Sequence, residues 1–275
     1  MSVGYATANA LTGLAATAFT WSSGYTTGRS RLNDGLQDEL AAGSASAQAP
    51  GQTLAVDLGS ATALVGVALL NHNLAAAGYN VKVEGADDSG FSVNLVTAKA
   101  ATTIETTAPW HKDAVLQFPS VTKRYWRLTF SGGGSLTVTL GELQFLTSIT
   151  TLSRQPIYGG YAQTERYVTN RVESRTGQTR STYLAGPIRS LRLPFKDSST
   201  SQKAELFTMW RATRGGTSRL LWLEYIESDS FSGSYDAQHC LWGRVQETLG
   251  WVNADYGLYD VDGLELIGEG REVGS

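Results

Sequence analysis

The chain has almost no cysteine: Cys240 is alone in 275 residues. No internal disulfide is possible, so the fold cannot depend on oxidation, and Cys240 reads as a small core residue. No apolar stretch is long enough to span a bilayer; Ala63 to Leu70 is apolar throughout but far too short. Neither sign of charge dominates, with 22 Lys and Arg against 25 Asp and Glu and a net charge of −3, which gives no general attraction to nucleic acid or anionic lipid. The first residues, MSVGYATANALTGLAATAFTW, carry no Lys or Arg ahead of their apolar part, unlike a secretory signal. The expectation is a protein made and assembled in the cytoplasm.

Catalytic signatures are missing as well. His72, His111 and His239 belong to no HExxH, HxH or CxxC arrangement, and there is no GxSxG, no P-loop and no GxGxxG ahead of a suitable helix. The sequence therefore predicts no enzyme, no metal and no cofactor. Asp87 and Asp88 in GADDSG lack the carboxylate spacing of an EF-hand, which favours a solvated turn over a calcium site. A cell-wall hydrolase would need a carboxylate pair in a cleft, for which Asp87, Asp88 and Glu105 are the candidates.

What the sequence does contain is β-strand pattern. At this length two domains are expected, each able to bury a core. Leu54 to Leu74, LAVDLGSATALVGVALLNHNL, reads as two packed strands broken at Asp57–Gly59 and closed by Asn71, His72 and Asn73. The second of these strands is covered on both faces. Asn33 to Gln52 is rich in Ala, Gly, Ser and Gln and reads as an exposed loop. Asn80–Glu84 and Ala114–Phe118 read as strands with one wet face. In RYWRLTF, Trp126, Leu128 and Phe130 point one way and Tyr125, Arg127 and Thr129 the other, ahead of a glycine turn and a strand running into GELQF. The DLG turn, the NHNL loop, RYWRLTF and GELQF together resemble the galactose-binding-like (discoidin-type) jelly rolls, including those of phage tail proteins, over about Leu54 to Leu146. That resemblance implies a β-sandwich over residues 1–148.

Beyond Thr147 alanine thins out and arginine increases, which marks the start of a second domain, 149–275. Ile188–Phe195 reads as a strand, with Pro194 placing it at a sheet edge. Ser199 and Gln202 form a capping box for a helix with the stripe Lys203, Leu206, Phe207 and Trp210, ended by Gly215 and Gly216. Leu220–Tyr225, Cys240–Glu247 and Tyr256–Ile267 supply a sheet, with a bulge at Gly263. This order, closing on YDVDGLELIGEG, resembles the tail-tube fold of phage tube, distal tail and hub proteins. The resemblance implies rings, often sixfold, and partners among the tail tube, hub and fibres. In many distal tail proteins the ring-forming domain comes first, whereas here the jelly roll does.

Charge bears on assembly independently. Arg166 to Arg219 carries a net +8 and Leu220 to Ser275 a net −9. Either the basic surface of one copy meets the acidic surface of the next, or neighbouring strands within one copy neutralise each other. The stretch Tyr158 to Tyr183 has four arginines and four tyrosines but few aliphatics. It reads as a long β-hairpin or arm lying on a neighbour, with Tyr161, Arg166, Tyr167, Arg171, Arg175 and Arg180 as contact residues. Trp110 and His111 either stack on a glycan or close the end of the sandwich. The combined expectation is a mainly β structural protein of a phage virion that forms a ring at the distal tail, carries fibre or host-glycan contacts, and has no specific nucleic acid partner. The alternative is a soluble, lectin-like carbohydrate-binding protein.

Overall fold

The computed structural model of the chain describes residues 3–22, 28–35, 41–42, 52–74, 78–104, 113–132, 137–156, 162–173, 179–224, 240–247, 249–255 and 257–268. It is mainly β, with sandwich-forming sheets, and among the described residues has one α-helix of more than three turns. The chain divides into two compact units: unit 1 holds Met1–Thr7, Thr151–Trp222 and Leu241–Ser275, and unit 2 holds Ala8–Thr150 and Leu223–Cys240.

The expected division at residues 148 and 149 thus differs from this one in two places, since Leu223–Cys240 groups with unit 2 and Met1–Thr7 with unit 1. The first seven residues group with the C-terminal part, because β1 (Gly4–Ala6) is a strand of its sheet and Val3 and Tyr5 lie in its core with Leu152, Leu191 and Trp222. Residues 8–150 of unit 2 are therefore inserted between the first two segments of unit 1. A three-residue strand shows no periodicity from which a sequence reading could place it.

Unit 2 is built on two long strands, β4 (Gln52–Leu70) and β7 (Ala114–Gly132), paired antiparallel. The expected turn at Asp57–Gly59 is instead an irregularity within one continuous strand. Asp57 pairs with Tyr125 and Thr62 with Lys123, so β4 carries the extra residues. Gly59 sits there at φ +76°, and its N–H donates to Asp57 Oδ1 at 2.7 Å. Glycine adopts this left-handed conformation without steric cost, so the strand kinks rather than ends. The second irregularity falls on β7 at Pro119, between the pairs Leu64–Val121 and Gly66–Gln117.

The other edge of β4 is shared between β2 (Phe19–Trp21) at one end and β9 (Glu142–Leu146) at the other. Gly66 to Leu70 thus has a neighbour on each side and is fully buried, as expected of a strand covered on both faces. β5 (Tyr79–Ala86) and β6 (Val96–Thr103) complete the sheet beyond β7, while β3 (Ala41–Ala42), inside the stretch expected to be loop, pairs with β8 (Thr139–Leu140). Trp126, Leu128 and Phe130 are buried as the alternation in RYWRLTF predicts, and Trp126 packs against Phe118 and Phe145 at about 6 Å.

Unit 1 is built on a sheet in the order β10-β1-β13-β14-β16-β12-β11, with β15 also on β16, in which β16 pairs antiparallel with β12, β14 and β15 and β12 pairs antiparallel with β11. Its strands are β10 (Thr150–Thr151), β11 (Ala162–Glu173), β12 (Thr179–Ser198), β13 (Arg219–Leu223), β14 (Cys240–Val245), β15 (Val252–Asp255) and β16 (Leu258–Gly268). Helix α1 (Thr200–Ala212) starts at the expected capping box: Ser199 Oγ accepts from Gln202 N, and Gln202 Oε1 accepts from Ser199 N. Leu206 and Met209 bury its inner side on Leu191, Leu193, Phe195, Leu264 and Leu266. Cys240 is buried and forms no disulfide.

The bulge expected at Gly263 is present, since Leu193 pairs with Leu264 and Phe195 with Val261. Pro194 lies opposite that bulge. Its strand is not a sheet edge, because β12 runs between β16 and β11. The last described pair with β11 is Ala162–Arg192, however, so among the described residues only β16 pairs with β12 around Pro194, where the register shifts.

Candidate functional site

The feature with most bearing on assembly is the hairpin of β11 and β12. It pairs from Ala162–Arg192 outward to Glu173–Thr179, while pairing of β12 with β16 starts only at Ser190–Ile267. From Val168–Ala185 outward the two strands form a ribbon with no third strand among the described residues. At a rise of about 3.3 Å per residue it extends roughly 20 Å. The expectation of a long β-hairpin over this stretch agrees with its backbone. Arg166, Tyr167 and Arg171 lie on β11 and Arg180 on β12. Tyr161 and Arg175 fall outside the described residues, as do Trp110, His111 and Glu105.

The NHNL loop is consumed by its own architecture. Asn71 takes φ +49°, and its N–H donates to buried Asp113 Oδ1 at 2.9 Å. Asn73 substitutes for a strand partner: its Nδ2 donates to Thr137 O, its Oδ1 accepts from Thr139 N, and its N–H donates to Thr139 O. Leu74 N donates to the buried His72 Nδ1 at 3.3 Å, which ties the imidazole to the backbone of its own loop. The DLG and NHNL motifs are thus a kink and a loop fastening, explained by folding alone.

The Asp87–Asp88 turn is braced rather than merely solvated. Asp88 Oδ1 accepts from Ser92 N and Val93 N at 2.9 and 2.7 Å, and its Oδ2 accepts from Ser92 Oγ at 2.8 Å. Asp87 accepts from Lys123 Nζ at 2.9 Å and from Asn94 Nδ2 at 2.7 Å. These bonds, led by Lys123 for Asp87 and by the Val93 N–H for Asp88, hold both carboxyls below their ordinary range. Their oxygens are committed to donors within the loop and, for Asp87, also to Lys123 on β7. Among the described residues no group of three or more His, Cys, Asp or Glu is placed to hold a metal ion.

The same loop has two non-glycine residues in the left-handed region, Phe91 at φ +55° and Asn94 at φ +50°. A bulky residue at positive φ is strained. The Phe91 ring lies 4.4 Å beneath the Arg127 guanidinium, which in turn donates to Glu84 Oε2 at 2.9 and 3.1 Å. Lys82 Nζ reaches Glu84 Oε1 at 2.9 Å. Burial pushes the Glu84 carboxyl up, and the bonds from Lys82 and Arg127 outweigh it, so it ionises below the usual range. Beside this network Arg124 makes a two-point contact with Asp57 at 2.8 and 2.9 Å, which lowers the Asp57 carboxyl. The braced loop presents Val93 and Leu95, 49% and 43% exposed. These contacts pair residues distant in sequence, and no local pattern announces them.

No protein-family model and no curated protein matches the sequence. Among solved structures, the chain is similar to chitosan-binding module 1 of a chitosanase/glucanase from Paenibacillus sp. IK-5, at 24% identity over 52% of this chain and 98% of that one, with a TM-score of 0.40. It is also similar to the lectin domain of lectinolysin complexed with Lewis B antigen, at 18% identity over 52% and 99%, TM-score 0.38. A pectin-binding carbohydrate-binding module is similar at 15% identity over 46% and 88%, TM-score 0.36.

Proposed function

We propose that the chain is a non-enzymatic structural protein of a long-tailed phage virion, in which unit 1 joins copies into a ring near the distal tail and unit 2 is an appended recognition or attachment module. The observation that carries this reading is the outer ribbon of β11 and β12. A two-stranded ribbon in water is marginal by itself and gains stability when its edges or faces meet another chain. Self-association through such an arm, with tail tube, hub and fibre proteins as neighbours, makes use of that feature. Light scattering on purified protein tests it: a closed oligomer is expected, and replacing residues 168–185 by a two-residue Asn-Gly turn is expected to give monomers with unchanged circular dichroism from the rest of the β-structure. A wild-type monomer at high concentration would overturn the reading.

A second reading is glycan binding by unit 2 as a soluble lectin-like protein. The proteins named above are described as binding chitosan or pectin, or as complexed with Lewis B antigen; in this chain the supporting feature is the braced loop Asp87–Leu95, whose backbone is set in advance of any partner. A glycan array probed with the full chain tests it, with saturable binding abolished by shortening that loop as the supporting result.

A further inference from the structure

On unit 1 helix α1 carries two cations, Lys203 and Arg211, that rest on aromatic rings. Lys203 Nζ lies 3.8 Å from the Tyr259 ring centre and 5.0 Å from that of Trp251. The Arg211 guanidinium lies 5.2 Å from Phe207, whose ring is 4.5 Å from Trp251. Neither cation has an ion-pair partner among the described residues. The nearby carboxylates have other engagements: Glu205 accepts from Ser153 N and Oγ, and Asp260 accepts from Asp197 N. Val252, next to Trp251, is 61% exposed. The ring faces are taken up by the cations and by one another, so the surface offers ring edges, an aliphatic side chain and unneutralised positive charge. That combination suits a carboxylate-bearing peptide better than a flat sugar ring.

We propose that this strip docks the acidic segment 225–239, YIESDSFSGSYDAQH, of a second copy of the chain. The segment joins β13 to β14, holds Glu227, Asp229 and Asp236 with no Lys or Arg, and adds Tyr225, Ile226, Phe231 and Tyr235 as apolar contacts. A stretch of this many residues held at both ends can span at most about 25 Å. The match gives a local form to the imbalance between the +8 of Arg166–Arg219 and the −9 of Leu220–Ser275. The inference rests on the reading that copies associate, and it names a contact separate from the hairpin ribbon.

Complementary charge reversal tests it. One full-length variant carries K203E and R211E, another E227K and D229K, and light scattering is run on each and on their mixture across a range of salt concentrations. Each alone is expected to associate at least about tenfold more weakly than wild type, and the mixture to recover, since every contact then pairs like with its complement. Recovery only when all four substitutions share one chain would show docking within a copy and overturn the inference. Weakening by the strip variant but not the segment variant would also overturn it, by pointing to another acidic occupant. Unchanged association in both variants would overturn it while leaving the ring intact; a monomeric wild type would remove the ring reading as well.

Discussion

Among the described residues the sandwich of unit 2 pairs several carboxylates with its own cations, whereas two cations of unit 1 rest on aromatic rings. In the sandwich, Asp57 is held by Arg124, Glu84 by Arg127 and Lys82, and Asp87 by Lys123. In the other unit, Lys203 and Arg211 rest on aromatic rings, and a two-stranded ribbon runs past the sheet. A domain whose polar groups are satisfied internally needs no partner to be stable. One with a two-stranded ribbon and cations that have no ion-pair partner among the described residues has features that a partner would complete.

The contrast is broken most forcefully through the cores. Trp126→Ala removes the large side chain at the centre of unit 2 and is expected to cost about 3–5 kcal/mol. Calorimetry should show the sandwich transition falling while that of unit 1 stays in place; a common shift would mean that the units fold as one. The reciprocal change is Gly216→Ala in unit 1. Gly216 has φ +84°, and an added Cβ would lie 2.1 Å from Val245 O, so the cost is expected to be about 3 kcal/mol, confined to the unit 1 transition.

Acid sharpens the comparison. Asp57 and Glu84 ionise below their ordinary values in the folded sandwich, so the stability they contribute is fully present above the unfolded carboxylate pKa, about 4. It is lost as pH falls through the lower folded values. Thermal melts from pH 7 to pH 2 should show the unit 2 midpoint dropping over that interval, and Arg127→Met should flatten the dependence. The smallest effect is expected from Ser199→Ala, which removes the capping hydroxyl of α1 and should lower unit 1 stability by about 1 kcal/mol in denaturant titrations.

Features with a local cause were legible before the structure. The capping box announces α1, the alternation in RYWRLTF announces the buried side of β7, and Gly263 announces a bulge. The long hairpin was legible from a stretch rich in Arg and Tyr but poor in aliphatics. Other features were out of reach. The DLG turn looks like a strand end because Gly59 favours positive φ, yet the ladder to β7 resumes beyond it. Pro194 looks like an edge marker, and only the register with β16 reveals a bulge opposite it. The cation–aromatic strip joins α1 to Trp251 and Tyr259, residues that only the packing of the sheet brings together.

Composition and periodicity alone determined that this is a cysteine-poor, two-part β protein with one capped helix, because strand alternation, caps and turns act over a few residues. Tertiary structure decided which segments share a sheet, that residues 1–7 close the C-terminal unit rather than open the sandwich, and which charges find partners. Those outcomes depend on contacts between residues far apart in the chain, whose free energy is settled only when whole strands pair and exclude water.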